Sequence, residues 1–157
     1  MTAPIASAGM LIRKPVSEVF AAFADPAVTT RFWFTASTGP LAEGASVRWT
    51  WGMYGASAEV AVTAFEPDRR ILMDWGVPGA MTTVEWTFAP HPLGTMVEVT
   101  DSGFTGSQDE QVERALDSTG GFALVLSAAK VWLEHGIDPR IISDRFPTAW
   151  VKDWNPS

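Results

Sequence analysis

Residues 46–53 read SVRWTWGM, a stretch in which every second side chain is apolar. Because the side chains of a β-strand point to opposite faces in turn, the apolar ones share one face: Val47, Trp49, Trp51 and Met53. The same period returns in later segments at 58–64, 71–75, 84–88 and 96–100. Short, turn-rich connections between these segments predict an antiparallel meander.

Helical signals flank this run of strands. Pro15 suits the first turn of a helix, and a second short helical turn is predicted over 26–32. Beyond the strands, Ser107 opens a helix of roughly two dozen residues that ends near Gly136. With a first strand at 5–13, this order predicts an α+β helix-grip fold. In this fold a curved antiparallel sheet of about six strands wraps around a long C-terminal helix, and two short helices follow the first strand.

The last third of the chain has two unusual features. Gly120 and Gly121 lie in the middle of the predicted helix, where they indicate a bend or a close approach to another backbone. We expect residues 1–137 to form the domain and 138–157 an irregular tail. The tail is too apolar to extend into water, so it should pack on the domain or on a second subunit, and the latter arrangement predicts a homodimer.

Composition excludes several functional classes. The chain has 157 residues, which suits one domain, and it has no cysteine, which removes thiolate nucleophiles, disulfides and metal–thiolate sites. No cofactor and no metal site is predicted. A net charge of −7 argues against a nucleic-acid partner. The N-terminus shows no signal-peptide pattern, and no apolar run approaches the roughly 20 residues needed to cross a bilayer, so we expect a cytoplasmic protein without membrane insertion.

Four stretches carry a recognisable set of motifs in order. They are LIRKPVSEVFAAFADPAVTTRFWF at 11–34, VTAFEPDRRILMDWG at 62–76, LGTMVEVTDSGF at 93–104 and STGGFALVLSAAKVWLEHG at 118–136. Together they resemble the family named after the activator of heat-shock-protein-90 ATPase, within the START-like and polyketide-cyclase (SRPBCC, helix-grip) superfamily. Members of this superfamily bind lipids, polyketides or hormones, catalyse cyclisations or assist chaperones, so fold alone does not select a function.

The resemblance implies a cavity between the concave face of the sheet and the last helix. The large apolar side chains of that face are candidates for its wall, and three more close it: Trp49, Trp51, Met53, Trp75, Trp86 and Phe88, with Phe32, Trp33 and Phe122. The alternative is that these side chains fill a core. So many indoles favour a rigid apolar lining, because each buried indole N–H needs a partner.

Asp101 is the one polar candidate on the same face, since it continues the parity of Val97 and Val99. Its carboxylate can bind a ligand hydroxyl, or act as a base if burial raises its pKa, and the alternative is that it caps the turn that follows. Neither His91 nor His135 lies in a metal-ligand or triad spacing, so no catalytic residue is assigned.

These observations favour binding of a small hydrophobic or aromatic molecule over catalysis. Two alternatives stay open. The first is a cyclase-like enzyme, which needs an inward-facing acid or base. The second is a protein-interaction module resembling the chaperone activators, for which the tryptophan-containing tail is the candidate surface.

Overall fold

A computed structural model describes residues 2–154 of the chain. Its seven strands form one antiparallel sheet, in the order β1-β7-β6-β5-β4-β3-β2. The strands are β1 (Ala6–Ile12), β2 (Ala36–Ser37), β3 (Ser46–Trp51), β4 (Ala56–Glu66), β5 (Arg70–Gly76), β6 (Thr82–His91) and β7 (Gly94–Ser102). The helices are α1 (Val16–Ala24), α2 (Pro26–Thr29), α3 (Gln108–His135) and α4 (Ile141–Asp144). The predicted helix-grip class is confirmed.

The sheet has one strand more than the sequence predicts. Strand β2 is only two residues long, and it pairs with Thr50 and Trp49 of β3. A two-residue strand has no period to detect, so its existence depends on the partner strand rather than on its own sequence. Short 3₁₀ turns at Gly52–Tyr54 and Pro147–Ala149 complete the secondary structure.

Helix α3 begins and ends where the sequence predicts. Ser107 and Glu110 form a capping box at its start, and Gly136 ends it in the left-handed region at φ 66°. Its C-terminal half is fixed to the end of β1, because Glu134 accepts a hydrogen bond from the Arg13 amide at 2.9 Å and Lys130 donates one to the Leu11 carbonyl at 2.8 Å. None of the helices within residues 2–154 is long and apolar enough to span a membrane.

The core lies between α1, the sheet and the middle of α3. Phe20 and Phe23 on the buried face of α1 contact Phe88 of β6 at ring distances of 5.0 and 5.9 Å. Phe122 of α3 meets Trp86 edge to face at 5.4 Å. Helix α1 therefore packs against the Phe88 end of the concave face.

Candidate functional site

A cavity of about 790 Å³ lies at the open end of the concave face, between the sheet, α3 and the chain that follows α3. Strands β3, β5, β6 and β7 supply its floor, and the N-terminal half of α3 supplies one side. Ile142, Arg145 and Phe146 come from the tail and form part of the wall. This volume is in the range of protein sites for small molecules.

Half of the ten site residues expected from the sequence line this cavity. They are Trp33, Trp51, Trp75, Asp101 and Phe122. The others are not part of its wall and are each at most 4% exposed: Phe32, Trp49, Met53, Trp86 and Phe88. The period of two assigns the side chains of the strands to a face, but Met53 lies in the 3₁₀ turn that follows β3 and not on the strand. The period also contains no information about which part of the face other elements cover.

Trp33 separates the packed core from the cavity. Its ring lies 4.9 Å from Trp49 and 5.7 Å from Trp86, which are both buried. Its ring also lies 6.1 Å from Trp51 and 5.9 Å from Trp75, which are only partly buried and line the cavity. The indoles therefore form two layers, one that packs the core and one that faces open space.

Asp101 lies at the floor of the cavity, 2% exposed, near the end of β7. Its Oδ2 atom accepts a hydrogen bond from the Ser118 hydroxyl of α3 at 2.8 Å. Its Oδ1 atom is buried, and no donor in the described part of the chain reaches it with hydrogen-bond geometry. Burial raises the pKa of the Asp101 carboxyl above its ordinary value. The hydrogen-bonding groups of Thr82, Ser118 and Trp75 and the Ser102 amide lower it, but they oppose the effect of burial only in part.

We expect Asp101→Asn to be more stable than wild type at neutral pH, with a difference that shrinks on acidification. The folded-state pKa of Asp101 is raised above the ordinary value of 3.8, so in the window between them the folded protein holds a proton that the unfolded chain has lost. Wild-type stability therefore falls as pH rises through that window, whereas asparagine does not titrate. Urea denaturation over a pH series measures both curves.

The control for this prediction is Asp74→Asn on the opposite face of the sheet. Asp74 accepts a hydrogen bond from Thr83 at 2.9 Å outside the cavity, so its amide should give no comparable gain at neutral pH. A gain for Asp101→Asn that does not vary with pH would contradict the assignment to carboxyl burial.

The tail packs back on its own domain along residues 52–54. The Tyr54 hydroxyl donates to the Ile142 carbonyl at 2.5 Å and accepts from the Phe146 amide at 3.3 Å, and the Val151 amide donates to the Met53 carbonyl at 2.8 Å. Burial raises the pKa of the Tyr54 phenol, which keeps it a proton donor. The tail is thereby held where its side chains complete the cavity.

We expect Tyr54→Phe to loosen the tail and to lower the free energy of unfolding by about 1–2 kcal/mol, because the Ile142 carbonyl and the Phe146 amide lose their partner. Hydrogen exchange should rise selectively in residues 141–151. Thr63→Val is the control, since it removes an exposed hydroxyl bond to the Leu72 carbonyl and should change stability by less than about 0.5 kcal/mol. Unchanged exchange in the tail would contradict this role of Tyr54.

Arg145 lies against the paired glycines of α3. Its guanidinium donates to the carbonyl and carboxylate of Asp117 at 3.4 and 3.2 Å and lies 4.7 Å from the centre of the Phe146 ring. A Cβ atom at Gly121 would come within 3.0 Å of it, and one at Gly120 within 3.4 Å. The close approach expected from the sequence is therefore made by a side chain of the tail and not by another backbone.

Several cavity residues escaped the sequence analysis: Tyr54, Thr82, Ser118, Arg145 and Phe146. The glycine pair signalled a neighbour without identifying it, and the other positions carry no distinguishing pattern. The two histidines lie outside the cavity wall, and the His91 ring accepts a hydrogen bond from the Leu93 amide at 3.0 Å. Within residues 2–154 no cluster of histidine, aspartate and glutamate is arranged to hold a metal ion.

Comparisons with known proteins identify the family and the fold of the chain. The model of the family described as Activator of Hsp90 ATPase homolog 1-like protein matches residues 13–128. A search of the curated proteins finds no match. Among solved structures, a protein from Staphylococcus saprophyticus is 27% identical and superposes with a TM-score of 0.75, over 87% of this chain and 96% of that one.

Two more distant structures share the fold. The Aha1 dimer from Colwellia psychrerythraea is 16% identical with a TM-score of 0.73, over 87% of this chain and 98% of that one. DynU16, a protein of the dynemicin biosynthetic locus, is 24% identical with a TM-score of 0.72. The alignment covers 87% of this chain but only 49% of DynU16, so this chain spans about half of that protein.

Proposed function

We propose a ligand-binding function for this chain, which belongs to the Activator of Hsp90 ATPase homolog 1-like family. The ligand is a small hydrophobic or aromatic molecule, and its site is the cavity between the sheet and α3. The observation that carries this proposal is the volume of about 790 Å³ beside aromatic side chains that include Trp51, Trp75 and Phe122. A domain whose aromatic residues served only to fill a core would not leave this space.

The two layers of indoles support the same function. Trp49 and Trp86 are buried and contact other aromatic rings, so they are part of the packed core. Trp51 and Trp75 contact each other at 6.2 Å and leave part of their surface on the cavity. A flat apolar ligand would bury that surface, and each buried square ångström of apolar area contributes about 25 cal/mol.

Tryptophan fluorescence tests this function. Titration with a panel of naphthalene derivatives and acyl compounds should quench the emission, and ligand at about 100 times its Kd should raise Tm by roughly 5–10 °C. Trp75→Phe should lose much of the quenching. Trp132→Phe is the control, because Trp132 lies outside the cavity wall near Arg31. No quenching and no Tm shift across the whole panel would contradict ligand binding.

Asp101 favours a second candidate function, a cyclase-like enzyme. A buried carboxyl with raised pKa facing a cavity is the kind of group that transfers protons. An Asp101→Asn variant that keeps ligand quenching but loses turnover of a bound reactive compound would favour the enzyme. Undiminished turnover in this variant would count against it.

The third candidate is a protein-interaction module, with a homodimer through the tail as its simplest form. Phe146 and Val151 are 46% and 40% exposed, so the tail retains apolar surface for a partner. Light scattering after size-exclusion chromatography should then give twice the monomer mass. The Val151→Ser variant should contain a smaller fraction of dimer. A monomer at all concentrations would contradict the dimer. For all three candidates we propose the cytoplasm as the location.

A further inference from the structure

We infer that the ligand is uncharged and donates a hydrogen bond, from a hydroxyl group, to the Oδ1 atom of Asp101. This inference rests on the proposed ligand-binding function and names the chemical class that the same site selects. It separates neutral hydroxylated aromatic molecules from hydrocarbons, from ethers and from carboxylic acids of the same shape.

The Oδ1 atom of Asp101 is a buried acceptor that a ligand hydroxyl can satisfy. Asp101 is 2% exposed, and its Oδ2 atom is already bonded to the Ser118 hydroxyl at 2.8 Å. In the described part of the chain no donor meets hydrogen-bond geometry at its Oδ1 atom, and the side chain lines the cavity. The Trp75 indole, the Thr82 hydroxyl and the Ser102 amide lie near the carboxyl and lower its pKa, but none of them completes a hydrogen bond to Oδ1. A buried acceptor without a donor costs about 1–3 kcal/mol, so a donor that enters the cavity removes this penalty. Hydrocarbons and ethers have no hydrogen to donate.

The charged side chains around the cavity are mostly acidic, which disfavours an anionic ligand. Four acidic and two basic side chains line it: Asp101, Glu110, Glu113, Asp117, Arg114 and Arg145. Arg145 is already engaged by Asp117 and by the Phe146 ring. A carboxylate ligand would therefore approach a surplus of negative charge in a chain whose net charge is −7. Such a ligand would also carry no donor for Oδ1, so the site disfavours anions on two grounds.

The aromatic wall of the cavity lies beside Asp101. Trp75 lies 5.6 Å from Phe122 with the ring planes tilted by 41°, and both side chains line the cavity together with Asp101. Trp75 also lies close enough to Asp101 to lower its pKa, so the aromatic wall and the acceptor are neighbours. A hydroxyl attached directly to a flat ring system can thus reach Asp101 while the ring contacts Trp75.

Four probes of one shape test this inference at neutral pH: naphthalene, 2-naphthol, 2-methoxynaphthalene and 2-naphthoate. Their dissociation constants are measured by fluorescence titration and calorimetry. We expect 2-naphthol to bind about tenfold or more tightly than 2-methoxynaphthalene, the size of one charge-assisted hydrogen bond, and 2-naphthoate to bind most weakly. The wild-type series decides the inference without any variant.

Asp101→Asn adds a second readout, because its amide can donate as well as accept. The advantage of 2-naphthol over 2-methoxynaphthalene should fall to about twofold or less in this variant, and it should be unchanged in the Asp74→Asn control outside the cavity. Circular dichroism establishes that both variants are folded.

The outcomes distinguish the two levels of proposal. Equal binding of 2-naphthol and 2-methoxynaphthalene, or tightest binding of 2-naphthoate, would overturn the inference and leave the proposed function standing. Retention of the full 2-naphthol advantage in a folded Asp101→Asn variant would also overturn it. Failure of all four probes to bind would overturn both the inference and the proposed function.

Discussion

Replacing Trp86 by alanine is expected to lower the free energy of unfolding by about 3–5 kcal/mol. The side chain is 1% exposed, and its ring lies 4.9 Å from Phe23, 5.7 Å from Trp33 and 5.4 Å from Phe122. These three rings come from α1, the segment after α2, and α3, so the lost indole leaves a void where all three meet the sheet. Urea denaturation with a constant m-value measures the change.

Trp75→Ala is the matched comparison, with the same side chain removed from the cavity wall instead of the core. Trp75 is partly exposed and already borders open space, so its loss should cost roughly 1–2 kcal/mol, nearer the average for a point substitution. Its effect on ligand quenching should be the larger of the two when each variant is measured in its folded range. Equal stability losses for the two variants would contradict the division of the indoles into two layers.

Gly94→Ala is expected to have the second large effect, a loss of about 3 kcal/mol or more. Gly94 has φ 148°, and a Cβ atom there would lie 2.3 Å from the Ile12 carbonyl oxygen and 2.7 Å from the Arg13 Cα. Both atoms belong to backbone at the end of β1, which is paired along its length with β7. The strand end must therefore move, and the bond from the Thr95 hydroxyl to the Lys14 carbonyl is strained with it.

Thermal denaturation should show this as a Tm lower by roughly 6–12 °C, using about 2–4 °C per kcal/mol for a domain of this size. Gly103→Ala is the control, because Gly103 also has positive φ, at 86°, but a Cβ atom there would meet nothing within 4 Å. Its cost should be only the conformational one, about 1–2 kcal/mol. If Gly94→Ala is as stable as Gly103→Ala, the end of β1 can move without a large loss of stability, and the prediction is wrong.

Prediction from sequence succeeded where structure depends on local periodicity. The alternation at Trp49, Trp86 and Val97 places these side chains on one face of the sheet, and Ser107 with Gly136 brackets α3 correctly. The inward direction of Asp101 follows from the same parity and is observed. Strand β2 was missed, because a two-residue strand forms only when its partner is in place.

The sequence by itself thus determined the buried faces of the strands, the ends of α3 and the family of this protein, since each depends on the order and spacing of neighbouring residues. Only the tertiary structure decided which indoles pack the core and which remain open to a ligand. That choice depends on α1 covering the Phe88 end of the sheet, and on Tyr54 holding a tail that brings Arg145 and Phe146 to the cavity. These contacts join segments 68 to 92 residues apart, and no local pattern encodes them.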